Sequence, residues 1–309
     1  MNMLDAMVAR RSARRWTGRL ATFVDRHFLA LASLPAMGIV AAVTVVPFIA
    51  ALGLSFTNYS LAYPDRIRFV GLETYVSVVE DGQFSDILAN TLYFAVGAVV
   101  VETVLGVALA LALARPLRFI GAARAIYTIP LMTANVAAAV AWKALLNQNS
   151  GWITAATGFL GLPPVDWLGD PTTAMPALIV ADAWTGIPIV AVLVLAGLLS
   201  MPTEPSEAAL VDGASPFQIF LHVTLPAIKP VLVVCIVFRT VEAFRQFGLI
   251  QIMTGAGPGI KTMVLNYYVY QESFSYGHAA YGAALAVLLV LMLGGCLGLI
   301  LAVGRWRSD

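Results

Sequence analysis

The sequence predicts an all-α integral membrane protein with six transmembrane helices. Three observations predict it. Only 11% of the 309 residues are charged, 60% are apolar and the mean hydropathy is +0.86; a soluble globular chain carries about 25% charged residues. Six apolar stretches are long enough to cross a hydrocarbon core of about 30 Å at about 1.5 Å per residue. The basic residues are also unevenly shared: twelve Lys and Arg fall on the termini and loops of one side, and three on the other.

Taken in order, residues 1–28 form a polar segment carrying Arg10, Arg11, Arg14, Arg15, Arg19 and Arg26. The apolar run that follows, 29–57, exceeds the roughly 7–15 residues of a signal-peptide core and is read as a retained first transmembrane helix. Further spans are expected at about 90–114, 125–146, 174–199, 227–253 and 280–304. The third is the weakest, because Pro130 and Asn135 interrupt it. Six spans put both ends on one side. The first segment, Arg115, Arg118 and Arg124, Lys229, and Arg305 and Arg307 make that side the cytoplasm by the positive-inside rule; Arg66, Arg68 and Lys261 lie opposite. Outer loops 58–88 and 147–173, acidic in one case and rich in Gly, Pro and Trp in the other, are either plain connections or the surface that an extracytoplasmic partner meets.

Several function classes find no support. The net charge of +1 gives no reason to expect a nucleic-acid partner. Cys235 and Cys296 both sit in apolar segments, as small hydrophobes do. His27, His222 and His278 are scattered, and no catalytic or metal-binding spacing is visible. Gly255–Thr262 imitates a phosphate loop, but Ile260 stands where the motif needs glycine before Lys261.

The most informative stretch is the polar connection before the fifth span, Glu207–Pro226, EAALVDGASPFQIFLHVTLP. Thr203 is placed to cap a first short helix, with acidic charge from Glu204 and Glu207 near its start. Gly213 supplies a left-handed stop. Ser215-Pro216 is an N-cap followed by proline at the first helical position, so a second short helix begins there. Pro226 is expected to end it before the next span. Two short helices with a glycine elbow form a rigid knob on the cytoplasmic face.

The spacing of Glu207-Ala208-Ala209, Asp212, Gly213, Val223 and Leu225-Pro226 resembles the EAA loop of binding-protein-dependent ABC importer permeases. Val70-Gly71-Leu72-Glu73-Thr74-Tyr75 (Thr74 standing where that family usually has Asn), Asn90-Thr91, Ile129-Pro130, Trp184 with Pro188 and Phe238–Arg245 extend the resemblance over about 35–305. The chain is similar to type I (MetI-like) permeases of the carbohydrate uptake group, the maltose and trehalose transporter relatives. That resemblance implies a permease core over 86–305, with the 203–226 loop contacting an ATPase and the first span wrapping a second permease. It implies partners: a second permease subunit, two ATP-binding subunits that use the ATP and Mg, an extracytoplasmic substrate-binding protein or lipoprotein, and a sugar. It also implies a bacterial cytoplasmic membrane location, and no cofactor or enzymatic activity in this chain.

Charged groups within the spans need an account of their own, because burying charge in a membrane is costly. Arg239, Glu242 and Arg245 recur at i+3 on the fifth span, so neighbours can pair on one face. They either form a structural ion cluster or, with Gln246, line a pathway where their donors and acceptors suit sugar hydroxyls. Asp182 and Trp184, two residues apart on the fourth span near Gly186 and Pro188, suit a sugar contact equally with an ion pair from Asp182 to Arg239 or Arg245. Glu102 reads as structural, and Lys143 as snorkelling. Two other functions stay open: import of a non-sugar solute such as a polyamine or glycerophosphodiester on the same fold, and a stand-alone secondary transporter.

Overall fold

The structure, a computed structural model, describes residues 33–115, 120–161 and 163–306. The basic segment 1–28, the start of the first span and the positions of Arg118 and Arg307 lie outside the described residues. Two units are present, 1–53 and 54–309. The described residues of the first all belong to the apolar helix α1, Ser33–Leu54.

The second unit begins with α2 (Glu73–Glu80), followed by α3 (Phe84–Leu113), α4 (Ile120–Thr128) and α5 (Asn135–Leu145). Next come α6 (Trp152–Phe159), α7 (Ala174–Leu199), α8 (Glu204–Val211), α9 (Pro216–Ile219) and α10 (Leu225–Phe244). The last three are α11 (Gly248–Met253), α12 (Leu265–Tyr270) and α13 (Ala279–Trp306). Among the described residues five helical segments are long and apolar enough to cross a membrane, and six if one bent pair counts as a crossing.

That pair is the expected third span. It is not a straight helix: Ile120–Met132 and Asn135–Leu145 meet at 100°. Pro130 sits in a 3₁₀ turn, and Thr133 and Ala134 are extended. Proline removes an N–H and crowds the preceding turn, so the chain reorients where the sequence carries its interruption. The fifth span also differs. It stops at Phe244 instead of running to 253, and α11 is a separate short helix.

The centre of the bundle is the α3–α7 pair. Lipid supplies no hydrophobic drive between helices, so small residues that let backbones approach decide which faces meet. Gly97 lies against Ile179 and Gly106 against Val190; a β-carbon at either glycine would come within 2.7 and 2.6 Å of those side chains. Ala95, Ala98, Ala177 and Ala181 are buried around them. Pro188 does not interrupt α7, which runs unbroken for 26 residues.

At the end opposite α8 and α9, the loop before α2 is stitched to the start of α13. Leu61 N–H donates to Gly277 O at 2.8 Å, and Ala280 N–H to Tyr59 O at 2.9 Å. Asp81 Oδ2 accepts from the Tyr268 hydroxyl at 2.6 Å and the Tyr281 hydroxyl at 3.0 Å. Partial burial pulls the Asp81 carboxyl up, but hydrogen bonds from Tyr268, the Gln83 backbone N–H and Tyr281 outweigh it and hold it below the usual carboxylate range. The Tyr268 hydroxyl is pushed well above the usual phenol range, first by desolvation and then by its bond to Asp81.

Candidate functional site

Three helices bring one charge each to the middle of the bundle. Glu102 comes from α3, Asp182 from α7 and Arg239 from α10, and all three are buried. Arg239 Nε donates to Glu102 Oε2 at 2.6 Å, and Nη2 donates to Glu102 Oε1 at 2.7 Å and to Asp182 Oδ2 at 3.1 Å. The Glu102 pairing is the bidentate fork that a planar guanidinium makes with a carboxylate. Gln246, just past the end of α10, donates from Nε2 to Asp182 Oδ1 at 2.6 Å. Gly186 leaves room for the Glu102 carboxylate: a β-carbon there would overlap it.

This corrects the i+3 cluster expected on the fifth span. Arg239 turns away from Glu242 to the other two helices, and only Arg245 meets Glu242, Nη1 donating at 3.0 Å in an exposed pair. Arg239 thus belongs to a buried triad and Arg245 to a solvent-accessible one. Lys143 does not simply snorkel; its Nζ donates to Ile252 O at 2.7 Å, tying α5 to α11.

Beside the triad is a cavity of about 120 Å³. Asp182, Arg239, Glu242 and Gln246 line it with Thr133, Asn135 and Thr185, and Pro130, Leu131, Ile189 and Phe238 supply apolar walls. Four of the six expected pathway residues therefore converge. Trp184 and Arg245 are not in the wall, and the aromatic face belongs to Phe238. Thr133 and Asn135 were missed as lining residues, although their signal was present. A proline and an asparagine at membrane depth weaken a helix, and non-helical backbone at that depth is tolerated where it lines a cavity.

The 203–226 loop folds as the two-helix knob. Gly213 ends α8 at φ +83°, and Ala214 N–H donates back to Ala209 O at 2.9 Å. Ser215 heads α9 with a reciprocal capping box: Gln218 N–H donates to Ser215 Oγ at 3.4 Å and Ser215 N–H to Gln218 Oε1 at 2.7 Å. Two details differ from expectation. Thr203 caps α8 through its backbone carbonyl, which accepts from Ser206 and Glu207, and its hydroxyl takes no part. Pro226 does not end the second helix. Residues Phe220–Thr224 widen into a π-turn, and the helix continues into α10 as one span from Pro216 to Phe244. The wide turn just before Pro226 absorbs the missing donor and the ring.

A second cavity, about 350 Å³, lies at the elbow, lined by Ala209, Asp212, Gly213, Ala214, Gln218, Ile219, His222 and Val223. Glu207, Ala208 and Pro226 are exposed outside it, and Leu225 is half-buried. Val211 and Phe217 are 88% and 70% exposed, and Leu210 and Leu221 are exposed too, which leaves four large apolar side chains uncovered on the knob.

Comparison with known proteins fits this geometry. Residues 6–303 match the family described as binding-protein-dependent transport system inner membrane component. The chain is 34% identical over 281 residues to the trehalose/maltose transport system permease protein MalF of Thermococcus litoralis, covering 89% of this chain and 93% of that one. It is 32% identical over 277 residues to the trehalose transport system permease protein SugA of Mycobacterium tuberculosis, covering 89% and 87%. A bacterial alginate ABC transporter, crystallised in complex with an alginate pentasaccharide-bound periplasmic protein, shares the fold with a TM-score of 0.79 at 21% identity, over 94% of this chain and 99% of that one. The chain therefore belongs to the inner membrane components of binding-protein-dependent transport systems, the membrane-spanning permeases of ABC importers.

Proposed function

We propose that this chain is one of two permease subunits of an ATP-driven importer for a di- or oligosaccharide such as trehalose. Its partners are a second permease, two ATP-binding subunits that carry the ATP and Mg, and an extracytoplasmic binding protein or lipoprotein. Both termini and the 203–226 knob face the cytoplasm, as the basic residues on that side favour.

The observation that carries the reading is the cavity beside the triad. It combines a fixed guanidinium donor, amide and carboxylate acceptors and the Phe238 ring, the set of groups that sugar hydroxyls and the apolar face of a pyranose require. Its break at 133–134, its exposed Asn135 and half-buried Glu242, and the exposed Arg245 beside it suit water or a second permease, not lipid. The relatives' names as sugar permeases point the same way.

The mechanism follows from continuity. The knob docks on an ATP-binding subunit through Glu207, Ala208, Ala209, Asp212 and Gly213, with the uncovered Val211 and Phe217 filling its surface. Val223, Leu225 and Pro226 belong to the helix that joins the knob to α10, so from Pro216, just past the Gly213 elbow, one continuous helix leads to Arg239. ATP-driven closure displaces the knob, α10 moves with it, and the cavity is exposed alternately to the two sides.

The test is uptake of labelled trehalose and maltose into proteoliposomes holding the full complex, with and without ATP. ATP-dependent accumulation of either sugar, abolished by Gly213→Val, is expected. Uptake without ATP, or an ATPase complex that assembles and pumps normally with Gly213→Val, overturns the reading.

A further inference from the structure

The cavity contains one cation whose charge is already spent. Both oxygens of Glu102 accept from Arg239, through Nε at 2.6 Å and Nη2 at 2.7 Å, which is the geometry of an ionised carboxylate. Asp182 adds a second carboxylate to the same guanidinium. The triad thus holds one positive and two negative groups. Glu242, also in the wall, is matched by Arg245 and adds no net charge. Thr133, Asn135, Thr185 and Gln246 are neutral, and Lys143 is engaged elsewhere, on Ile252 O. The wall, taken with Glu102 buried behind Arg239 and Arg245 beside Glu242, therefore carries a surplus of one negative charge.

The inventory of hydrogen-bonding atoms leads the same way. Arg239 has used Nε and Nη2, and Nη1 makes no hydrogen bond among the described residues. Gln246 has used Nε2, which leaves its Oε1 free, and Glu242 has used one oxygen. What remains is a mixed set: donors on Arg239 Nη1 and the Asn135 amide beside acceptors on Gln246 and Glu242. A hydroxyl can accept from Nη1 and donate to a neighbouring acceptor. A ligand carboxylate has no proton to donate, so it leaves those acceptors unmatched and sets its own charge against Asp182 and Glu242.

We propose that this cavity disfavours anionic sugars relative to uncharged polyhydroxy ligands, with Arg239 acting as a hydrogen-bond donor and not as an anion-binding charge. The proposal rests on the reading of the cavity as part of a sugar pathway. Selection against acidic sugars is then built into the permease itself, apart from whatever an extracytoplasmic partner contributes.

The test uses the complete complex in lipid nanodiscs, without binding protein, after Cys235→Ala and Cys296→Ala. Asn135→Cys in the cavity wall reports occupancy by its protection from a maleimide. Trehalose is compared with a disaccharide of the same size carrying one glucuronate, and with one carrying one amino group. Trehalose is expected to protect at a concentration at least about tenfold lower than the uronate, the scale of a single unscreened like charge at close range. Glu242→Gln, at a half-buried position outside the triad, and Glu102→Gln are both expected to narrow that ratio. Equal or better protection by the uronate than by trehalose, weaker protection by the amino sugar than by the uronate, or a ratio unmoved in Glu242→Gln overturns the proposal. If no sugar protects while the complex still accumulates trehalose, the charge inference fails and the sugar importer reading stands. If trehalose is not accumulated either, that reading fails as well.

Discussion

The buried triad and the exposed knob are built on opposite plans. In the knob, every defining bond closes within five residues: Ser215 with Gln218, Ala214 with Ala209, Gly213 with Leu210. In the triad, the partners of Arg239 lie 137 and 57 residues away. The knob is specified by backbone conformation and can be altered without disturbing the bundle. The triad is specified by how three helices are rotated against one another, so any change in it is a change in the bundle. Damage to the first should uncouple a well-folded protein, whereas damage to the second should cost folding and function together.

The sharpest way to break that contrast is Arg239→Ala. It leaves Glu102 and Asp182 buried without a counter-charge, at a cost of about 3–5 kcal/mol. Most of the purified complex should be lost or melt early by thermal unfolding, and a variant that keeps wild-type stability would remove the triad from the core. Gly186→Ala tests the same region by volume. Its new methyl meets the Glu102 carboxylate, and the repacking costs about 1–3 kcal/mol. The knob comes next. Gly213→Val puts a β-branched residue at φ +83°, a strain of about 1–2 kcal/mol confined to the elbow. The expected result is a normal melting temperature for the bundle with loss of ATP-driven uptake; a bundle destabilised as much as by Gly186→Ala would show the knob to be part of the core.

Asp81 offers a test by pH. Its carboxyl is held below the usual range in the folded chain. Its stabilising contribution is therefore fully present above the unfolded value of about 3.9 and is lost as pH falls through the lower folded value. Melting temperatures recorded from pH 6 downward should show that loss in the wild type, and Asp81→Asn should lack this component. Arg245→Ala should have the smallest effect. Removing an exposed i,i+3 pair costs about 0.2–0.5 kcal/mol, so a melting temperature close to wild type is expected. A loss comparable to that of Arg239→Ala would restore the single cluster that the sequence pattern suggests.

The legible parts of the molecule were those with short-range signals. Serine followed by proline announced the start of α9, and Gly213 announced the elbow. Pro130 and Asn135 marked the weak third span, although not that the chain bends there by 100°. The partner of Arg239 was not legible. Helical spacing offered Glu242, three residues on, and Asp182 was an open alternative from another span. Glu102, which takes the bidentate fork, read only as an isolated structural carboxylate. Trp184 drew attention because indoles suit sugars, yet α7 turns it out of the cavity wall and α10 supplies Phe238 instead.

By itself, then, the sequence determined the membrane class, the family, the distribution of basic residues and the internal design of the knob. Each of these rests on composition, or on contacts closed within a few residues. The tertiary structure decided which charges meet, where the third span breaks and what lines the cavity. The physical reason is that α3 and α7 are apolar nearly all round, so no hydrophobic stripe marks which face turns inward. Their rotation is set by the close approach of small residues, Gly97 to Ile179, Gly106 to Val190 and Gly186 to Glu102, and those pairings exist only once the helices are packed.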